Sequence, residues 1–282
     1  MPDLAVVVVN FNAGDYLDRC LASLETHRGD VELEVLVIDN ASSDGSAASI
    51  AAHPSARLIE NPTNVLLSPA WNQGIAETTA PYLLFLNPDT EWWKGTLADY
   101  LQVAHANPRA GIVGPFVRNS DGTVYPSGRV FPSVVDAVGH AFLGTLRPEN
   151  PFTRRYHLEG WDRSTEREVD WVSGCCMLFP RKAFDDVGEF DESFALYGEE
   201  LDMGARLKAA GWSIVFTPEV EVLHEIGVST GRSRRTLRMH SMSIYRYYRK
   251  HRAHGWRRLT LPLAWVVLSL RAEVEWLQER IR

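Results

Sequence analysis

The chain has 282 residues, 45% of them hydrophobic and 23% charged, which is enough to bury one large core or two modest ones. A formal net charge of −7 argues against a general nucleic-acid binder. The three cysteines, Cys20, Cys175 and Cys176, offer neither a disulfide framework nor zinc-ligand spacing, which fits a reducing cytosol.

The charge is segregated. No Asp or Glu occurs from Ile226 to Ala272, a stretch with eleven Lys and Arg, so the remainder is strongly acidic. The first apolar run has no basic residues before it and is interrupted by Asn10 and Asn12, so it reads as a strand rather than a signal peptide. No stretch reaches the roughly 18–20 apolar residues needed to span a bilayer. There is no internal repeat or low-complexity segment.

Leu4–Val9 has the pattern of a buried strand, with a turn from Asn10 to Gly14 at its carboxyl end. Tyr16, Leu17, Cys20, Leu21 and Leu24 then recur at helical spacing. Glu34–Asp39 is a second strand, running into the acidic, turn-rich loop Asn40-Ala-Ser-Ser-Asp44-Gly-Ser46, which opens another helix. Arg57–Glu60 is a short third strand, followed by a helix around Ala70–Glu77. The fourth strand, from Tyr82, is apolar until it stops at Asn87-Pro88-Asp89, because Pro88 cannot donate to a ladder. Thr96–Ala106 is helical, Ala110–Val117 makes a fifth strand, and Asp121-Gly122 marks a hairpin. Strands alternating with helices in units of roughly thirty residues predict a parallel, doubly wound α/β sheet.

Such sheets bind ligands at the carboxyl ends of their strands. Asp89 stands at such an end, where a carboxylate suits a hard cation on phosphate oxygens; capping the next helix is the alternative. Asp39 and Asp44 repel phosphate but accept hydrogen bonds from base N–H groups and ribose hydroxyls; structural capping is again the alternative. Neither a Gly-x-Gly-x-x-Gly after the first strand nor a Walker loop is present, which disfavours dehydrogenases and P-loop enzymes.

From Pro126 to Arg167 the pattern weakens into Pro, Gly, Arg and aromatics, as in a substrate-facing loop region. Asp170–Phe179 is strand-like but interrupted at Ser173-Gly174. The densest acid cluster follows, with Glu199, Glu200 and Asp202 opening a helix over Leu201–Ala210. The helix dipole favours acids there, but three within four residues repel one another, and a carboxylate beside a metal-bound phosphate can act as a general base. Trp212–Phe216 and Val220–His224 are short strands, and His224 is a candidate metal ligand as well as a candidate structural histidine.

In that order, Val7-Val-Val-Asn10-Phe-Asn12, Val37-Ile-Asp39-Asn40-Ala-Ser-Ser-Asp44-Gly-Ser46, Asn72-Gln-Gly74, Leu86-Asn87-Pro88-Asp89 and Gly198-Glu199-Glu200-Leu-Asp202 resemble the motifs of the family 2 inverting glycosyltransferases of GT-A fold. The resemblance covers roughly residues 4–232. It implies a Rossmann-like, mostly parallel central sheet with helices on both faces. It also implies that Asp39 and Asp44 contact nucleotide base and ribose, with Asn10, Asn12, Asn40, Asn72 and Asn87 on the same nucleotide-sugar side. Asp89 would hold Mg2+ or Mn2+ on the diphosphate, His224 joining it, and Glu200, with Glu199 in reserve, would deprotonate the acceptor. Trp171, Tyr197 and Arg206 are acceptor-site candidates, with packing as the other reading for the aromatics.

A narrower likeness comes from Gly114-Pro-Phe-Val-Arg-Asn-Ser-Asp-Gly-Thr-Val-Tyr125-Pro-Ser-Gly-Arg129, from Pro148-Glu-Asn-Pro-Phe-Thr-Arg-Arg-Tyr156, and from His224 with Ser229-Thr-Gly-Arg232. These are similar to actinobacterial rhamnosyltransferases that build the cell-wall linker. That likeness implies L-rhamnose transfer from a dTDP-sugar donor to a lipid-linked sugar acceptor, polyprenyl-diphosphate N-acetylglucosamine. The chain departs from the family in having Glu200 where Asp is usual, and Val65-Leu66-Leu67-Ser68 where a Gly-rich loop is usual. Another nucleotide sugar, or a catalytically idle sugar-nucleotide binding module, are the competing readings.

The expected organisation is a catalytic domain over 1–232, divided into a nucleotide-binding half (1–117) and an acceptor half (118–232), then basic amphipathic helices over 233–282. Arg232 to Arg258 interleaves ten basic residues with Tyr245, Tyr247, Tyr248 and Trp256, and the apolar run Leu259–Leu270 follows. This pairing suits a helix lying in an anionic membrane surface, and so a cytoplasmic protein peripheral on the inner face of the plasma membrane. Packing on the catalytic domain or on a homodimer partner is the alternative. No nucleic-acid recognition motif accompanies the basic face.

Overall fold

The computed structural model describes residues 1–131, 150–194, 196–225 and 233–281. The Ser229–Arg232 motif and the Pro148-Glu149 pair lie outside them. Leu4–Asn10 (β1) is buried along its whole length because both of its faces are covered. Leu4, Val6 and Val8 pack in one core, where Tyr16–Thr26 (α1) adds Leu17, Cys20, Leu21 and Leu24. Val7 and Val9 pack in a second core on the other face, with Ala70, Trp71 and Ile75 of Leu67–Glu77 (α2). Helix α2 approaches β1 so closely that a Cβ on Gly74 would stand 2.4 Å from Val7 Cγ1, so only glycine fits there.

Leu33–Asp39 (β2), Ala56–Glu60 (β3) and Tyr82–Leu86 (β4) run parallel with β1. Thr90–Lys94 (β5), Leu97–Ala106 (α3), Ala110–Asn119 (β6), Val124–Tyr125 (β7) and Gly128–Arg129 (β8) follow. Next come Pro151–Tyr156 (α4), Arg167–Glu168 (β9), Trp171–Val172 (β10), Cys176–Pro180 (β11) and Arg181–Val187 (α5). Glu199–Ala209 (α6), Ser213–His224 (β12), Arg234–Tyr247 (α7) and Leu261–Ile281 (α8) complete the order. The main sheet runs β3-β2-β1-β4-β11-β6-β12-β5.

Within it β11 is antiparallel to both of its neighbours, so β6 regains the direction of β4, and β12 runs parallel with β6. The sheet is therefore mostly parallel, as expected, with β11 and the edge strand β5 reversed. Two details differ from the sequence reading. The two short strands expected over Trp212–His224 are one strand, whose pairing with β6 slips between Thr217 and Glu221, where Pro218 interrupts the ladder. Strand β5, not anticipated, pairs with the end of β12 and sets His224 opposite Thr90.

The carboxyl-terminal helices do not stand apart from the catalytic half. Tyr247 of α7 joins Trp171, Phe194 and Leu201 in a third, small core. Lys250 Nζ and His251 Nε2 reach Asp202 Oδ1 at 2.7 and 2.6 Å. Helix α8 is fastened to α7 by Glu273, which accepts from Arg234 and Arg238. Among the described residues no helix is long and apolar enough to cross a membrane.

Candidate functional site

The parallel register that sets Asn10 beside Asp39 also brings the loops after β1 and β2 together. Asn10 Nδ2 donates to Asp39 Oδ1 at 2.7 Å and to Ser46 Oγ at 2.8 Å, and the Ser42 N–H donates to Asp39 Oδ2. Asp39 thus anchors the acidic loop from a buried position. Asp44 lies outside, accepting from the Gly14 and Ser46 N–H groups and from Ser46 Oγ. Burial opposes its ionisation, but these hydrogen bonds outweigh it and hold the carboxyl below its ordinary value. Asn12, in a left-handed conformation with φ 52°, accepts from the Ser43 N–H. Asn40 receives Asn61 Nδ2 on its carbonyl and donates to the Leu66 carbonyl, so it pins the Val65–Ser68 loop at φ 74° on Leu66.

Next along the rim, Asn87 is tied to β11 by its N–H, which donates to the Cys175 carbonyl. Asp89 is 6% exposed, and His224 Nε2 stands 3.4 Å from its Oδ1. That contact is not among the hydrogen bonds, and Asp89 Oδ1 is buried without a partner, as is the other ring nitrogen of the histidine, His224 Nδ1. A carboxylate and an imidazole left in this state fit a divalent cation. Among the described residues no third His, Cys, Asp or Glu joins them.

The acid pair opens α6 across the same rim. Glu199 is 4% exposed, and its Oε2 has no hydrogen-bond partner. Burial and the neighbouring Glu200 charge raise its carboxyl well above the ordinary value. Burial raises Glu200 too, but the Gly198 N–H donates to its Oε2 at 3.0 Å and the Arg129 charge counters the rise. Of the two, Glu200 is the one suited to accept a proton. Its carboxyl carbon stands 4.0 Å from where a Cβ on Gly174 would lie, and Trp71 Cη2 stands 3.6 Å from that point. Gly174 precedes Cys175, whose carbonyl accepts from the Asn87 N–H just past the end of β4. The break at Ser173-Gly174, legible in the sequence, lies beside the Glu200 carboxyl.

Other expected residues fall elsewhere. Both ends of the Asn72 amide bond the Phe190–Glu192 segment, where they support the approach to α6 rather than face a ligand. The Arg206 guanidinium donates to Asp202 and to the carbonyls of Val187, Gly188 and Glu189. It holds a backbone loop, and the geometry lends no support to an acceptor contact. Tyr197, with φ 62°, lies against His240 of α7, and Trp171 is buried with its Nε1 donating to the Val130 carbonyl. The sequence reading passed over Arg129 as a site residue. Its guanidinium lies over the rings of Trp171, Tyr125 and Tyr156 at 4.8, 5.2 and 5.6 Å. The motif Tyr125-Pro-Ser-Gly-Arg129 was the signal, but nothing in its spacing tells that Tyr156 and Trp171 close around it.

Known proteins share the family and the fold. The model of Glycosyl transferase family 2 matches residues 5–188, and that of Glycosyl transferase family group 2 matches residues 152–277. N-acetylglucosaminyl-diphospho-decaprenol L-rhamnosyltransferase of Mycobacterium tuberculosis is 38% identical over 289 aligned residues, 96% of this chain and 92% of that protein. Rhamnosyltransferase WbbL of Escherichia coli is 27% identical over 61% of this chain and 62% of its own. Among solved structures, mannosyltransferase PcManGT from Pyrobaculum calidifontis in complex with GDP-Man and Mn2+ superposes with a TM-score of 0.60 at 16% identity, over 96% of this chain and 74% of that one. GalNAc-T7 with UDP, GalNAc and Mn2+ gives a TM-score of 0.61 at 14% identity, over 90% of this chain and 52% of that one. At these identities the likeness shows a shared GT-A fold.

Proposed function

The chain belongs to glycosyl transferase family 2, and from that premise we propose that it moves L-rhamnose from dTDP-rhamnose to an N-acetylglucosamine carried on a polyprenyl diphosphate. One observation carries the site: Asn10 Oδ1, Asp89 Oδ1, Glu199 Oε2 and His224 Nδ1 are all buried polar atoms without hydrogen-bond partners, in residues that line one rim of the sheet. Buried polar atoms are ordinarily satisfied, so these four, among ten such atoms in the described residues, are candidate contacts for a polar ligand. The choice of sugar and acceptor is supported by the relative that is 38% identical over nearly the whole chain.

Asp39, Asp44, Asn10, Asn12 and Asn40 shape the pocket for base and ribose, and Asn87 lies where the sugar diphosphate would cross the end of β4. Asp89 and His224 would hold Mn2+ or Mg2+, which when bound supplies positive charge to the departing diphosphate. Glu200 takes the proton of the acceptor hydroxyl as that oxygen bonds the anomeric carbon and the bond from that carbon to the phosphate oxygen breaks. With one base and no covalent intermediate, the anomeric configuration inverts. An acceptor of this kind sits in a membrane, and the exposed apolar and basic residues from Trp256 onward supply a surface for an anionic bilayer at its cytoplasmic face.

The test is a donor panel of dTDP-, UDP- and GDP-sugars, each with and without Mn2+ and with a short polyprenyl-diphosphate N-acetylglucosamine. Release of dTDP from dTDP-rhamnose, dependent on acceptor and metal, is expected. Turnover with a UDP-sugar alone would reject the donor assignment while leaving the family intact.

A further inference from the structure

We infer that Ser243 and Lys250, on the carboxyl-terminal helical segment, are positioning residues for the transfer reaction: they hold the turn that presents Glu200 as the proton acceptor. The inference rests on the reading of Glu200 as the base. It gives the segment a part in the chemistry besides its apolar and basic surface.

The turn, residues 191–194 and 196–198, leads directly into α6. Its last two residues, Tyr197 and Gly198, have φ values of 62° and 94°, a left-handed pair that costs energy at the tyrosine and persists only where the surroundings hold it. In that conformation the Gly198 N–H donates to Glu200 Oε2 at 3.0 Å, so the base takes its orientation in part from the turn that precedes it. A displacement of about 1 Å at a reacting group lowers a rate by as much as about 100-fold, so a slack turn is read in kcat.

The carboxyl-terminal segment holds this turn by direct contacts. Ser243 of α7 is 1% exposed, and its Oγ donates to the Leu196 carbonyl at 3.0 Å, one residue before the left-handed pair. Ser243 Cβ lies 3.4 Å from where a Cβ on Gly198 would stand, and the His240 and Tyr197 rings meet with centroids 4.9 Å apart. Tyr247 packs with Phe194 of the turn and Leu201 of α6. Lys250 stands on the π-helical turn Tyr248–Arg252, which continues α7; such turns are frequent at functional sites. Its Nζ reaches Asp191 Oδ2 at 2.6 Å and Asp202 Oδ1 at 2.7 Å, so one ammonium ties the start of the turn to the first turn of α6, on either side of Glu200 in the chain. Asp202 also meets Arg206 at 2.8 Å, so loss of Lys250 slackens the turn without stranding a buried carboxylate. Fastening the segment to the body requires no grip on this backbone; the grip gives the Gly198 N–H a fixed direction.

The experiment measures single-turnover transfer and dTDP affinity in the full-length parent, Lys250→Met, Lys250→Arg and Ser243→Ala, alone and combined with Glu200→Gln, each checked for folding by thermal melting. Lys250→Met and Ser243→Ala are each expected to lower the rate about tenfold with dTDP affinity unchanged, and Lys250→Arg, which keeps the charge, to stay within about threefold of the parent. In the Glu200→Gln background neither substitution should lower the rate further, because the group they position is gone. Should Lys250→Met not fold, Ser243→Ala carries the same reading. A parental rate in either folded variant, Lys250→Arg as slow as Lys250→Met, or an equal fall in the Glu200→Gln background would overturn the proposal. Parental activity in Glu200→Gln itself would instead remove the reading it rests on, so the two failures are distinguishable.

Discussion

His224 Nε2 lies 3.4 Å from Asp89 Oδ1 because β5 and the end of β12 run antiparallel, with His224 opposite Thr90. The Glu225 N–H donates to the Asp89 carbonyl and closes the same corner. If this pair holds the cation, Asp89→Asn should lower transfer by at least about 100-fold, and His224→Ala should raise the Mn2+ concentration for half-maximal rate by roughly 10–100-fold. Rates across a Mn2+ titration measure both. A half-saturation unchanged in His224→Ala would remove the histidine from the metal site.

Asp202 is 0% exposed yet meets Arg206 Nε at 2.8 Å, Lys250 Nζ at 2.7 Å and His251 Nε2 at 2.6 Å. Burial opposes its ionisation, but these partners prevail and its carboxyl lies below the ordinary value. Removing a buried acid strands its cations, so Asp202→Asn should cost about 3 kcal/mol in urea unfolding. It should also loosen the α7 segment, read as faster amide exchange over Arg234–Tyr247. A cost near zero would mean that the carboxyl-terminal helices are held by their apolar contacts alone.

His53 is buried between Asp18 Oδ1 at 3.0 Å and Glu25 Oε1 at 3.2 Å. Burial lowers its pKa, but hydrogen bonds and charge from the two carboxylates dominate and raise it above the ordinary 6.5. Since the folded value exceeds the unfolded one, the stabilisation is fully present below the unfolded pKa and is lost as pH rises through the folded pKa. His53→Ala should therefore cost more stability at about pH 6 than at about pH 9. Equal costs at both, by urea unfolding, would exclude the charged pairing.

Much of this architecture is legible in the sequence, and the gaps have physical reasons. Apolar runs ending in polar turns identify β1, β2 and β4 and place Asn10, Asp39 and Asp89 on one rim, because strand direction is fixed by the parallel units. The edge strand β5 escaped because Thr-Glu-Trp-Trp-Lys lacks alternation, and its pairing with β12 depends on long-range register. Arg206 and Asn72 looked like ligand contacts because composition cannot distinguish a side chain that recognises substrate from one that recognises backbone. The basic tail looked detached because Lys250 and His251 find their carboxylate, Asp202, far away in the chain.

The apolar stripe Leu263, Val266, Leu270, Val274 and Leu277 recurs at spacings of three and four along α8, and each is exposed. Exposed Trp256, Arg257 and Arg258 stand just before it. Such a face suits an anionic bilayer. Replacing Val266 and Leu270 by Asp should reduce sedimentation with anionic vesicles by at least about tenfold, and added salt should weaken the parent's binding. Vesicle binding that ignores lipid charge, together with a dimer that the double variant dissolves, would assign the stripe to a second copy of the chain instead.

The central claim is that a sugar nucleotide seated at Asp89 is attacked by a hydroxyl whose proton goes to Glu200. Single-turnover transfer by Glu200→Gln, measured with dTDP-rhamnose, Mn2+ and the lipid-linked acceptor alongside the affinity for dTDP, tests it directly. The account predicts a rate lower by about 10²–10⁴-fold with dTDP affinity unchanged. Parental rates in Glu200→Gln would contradict it.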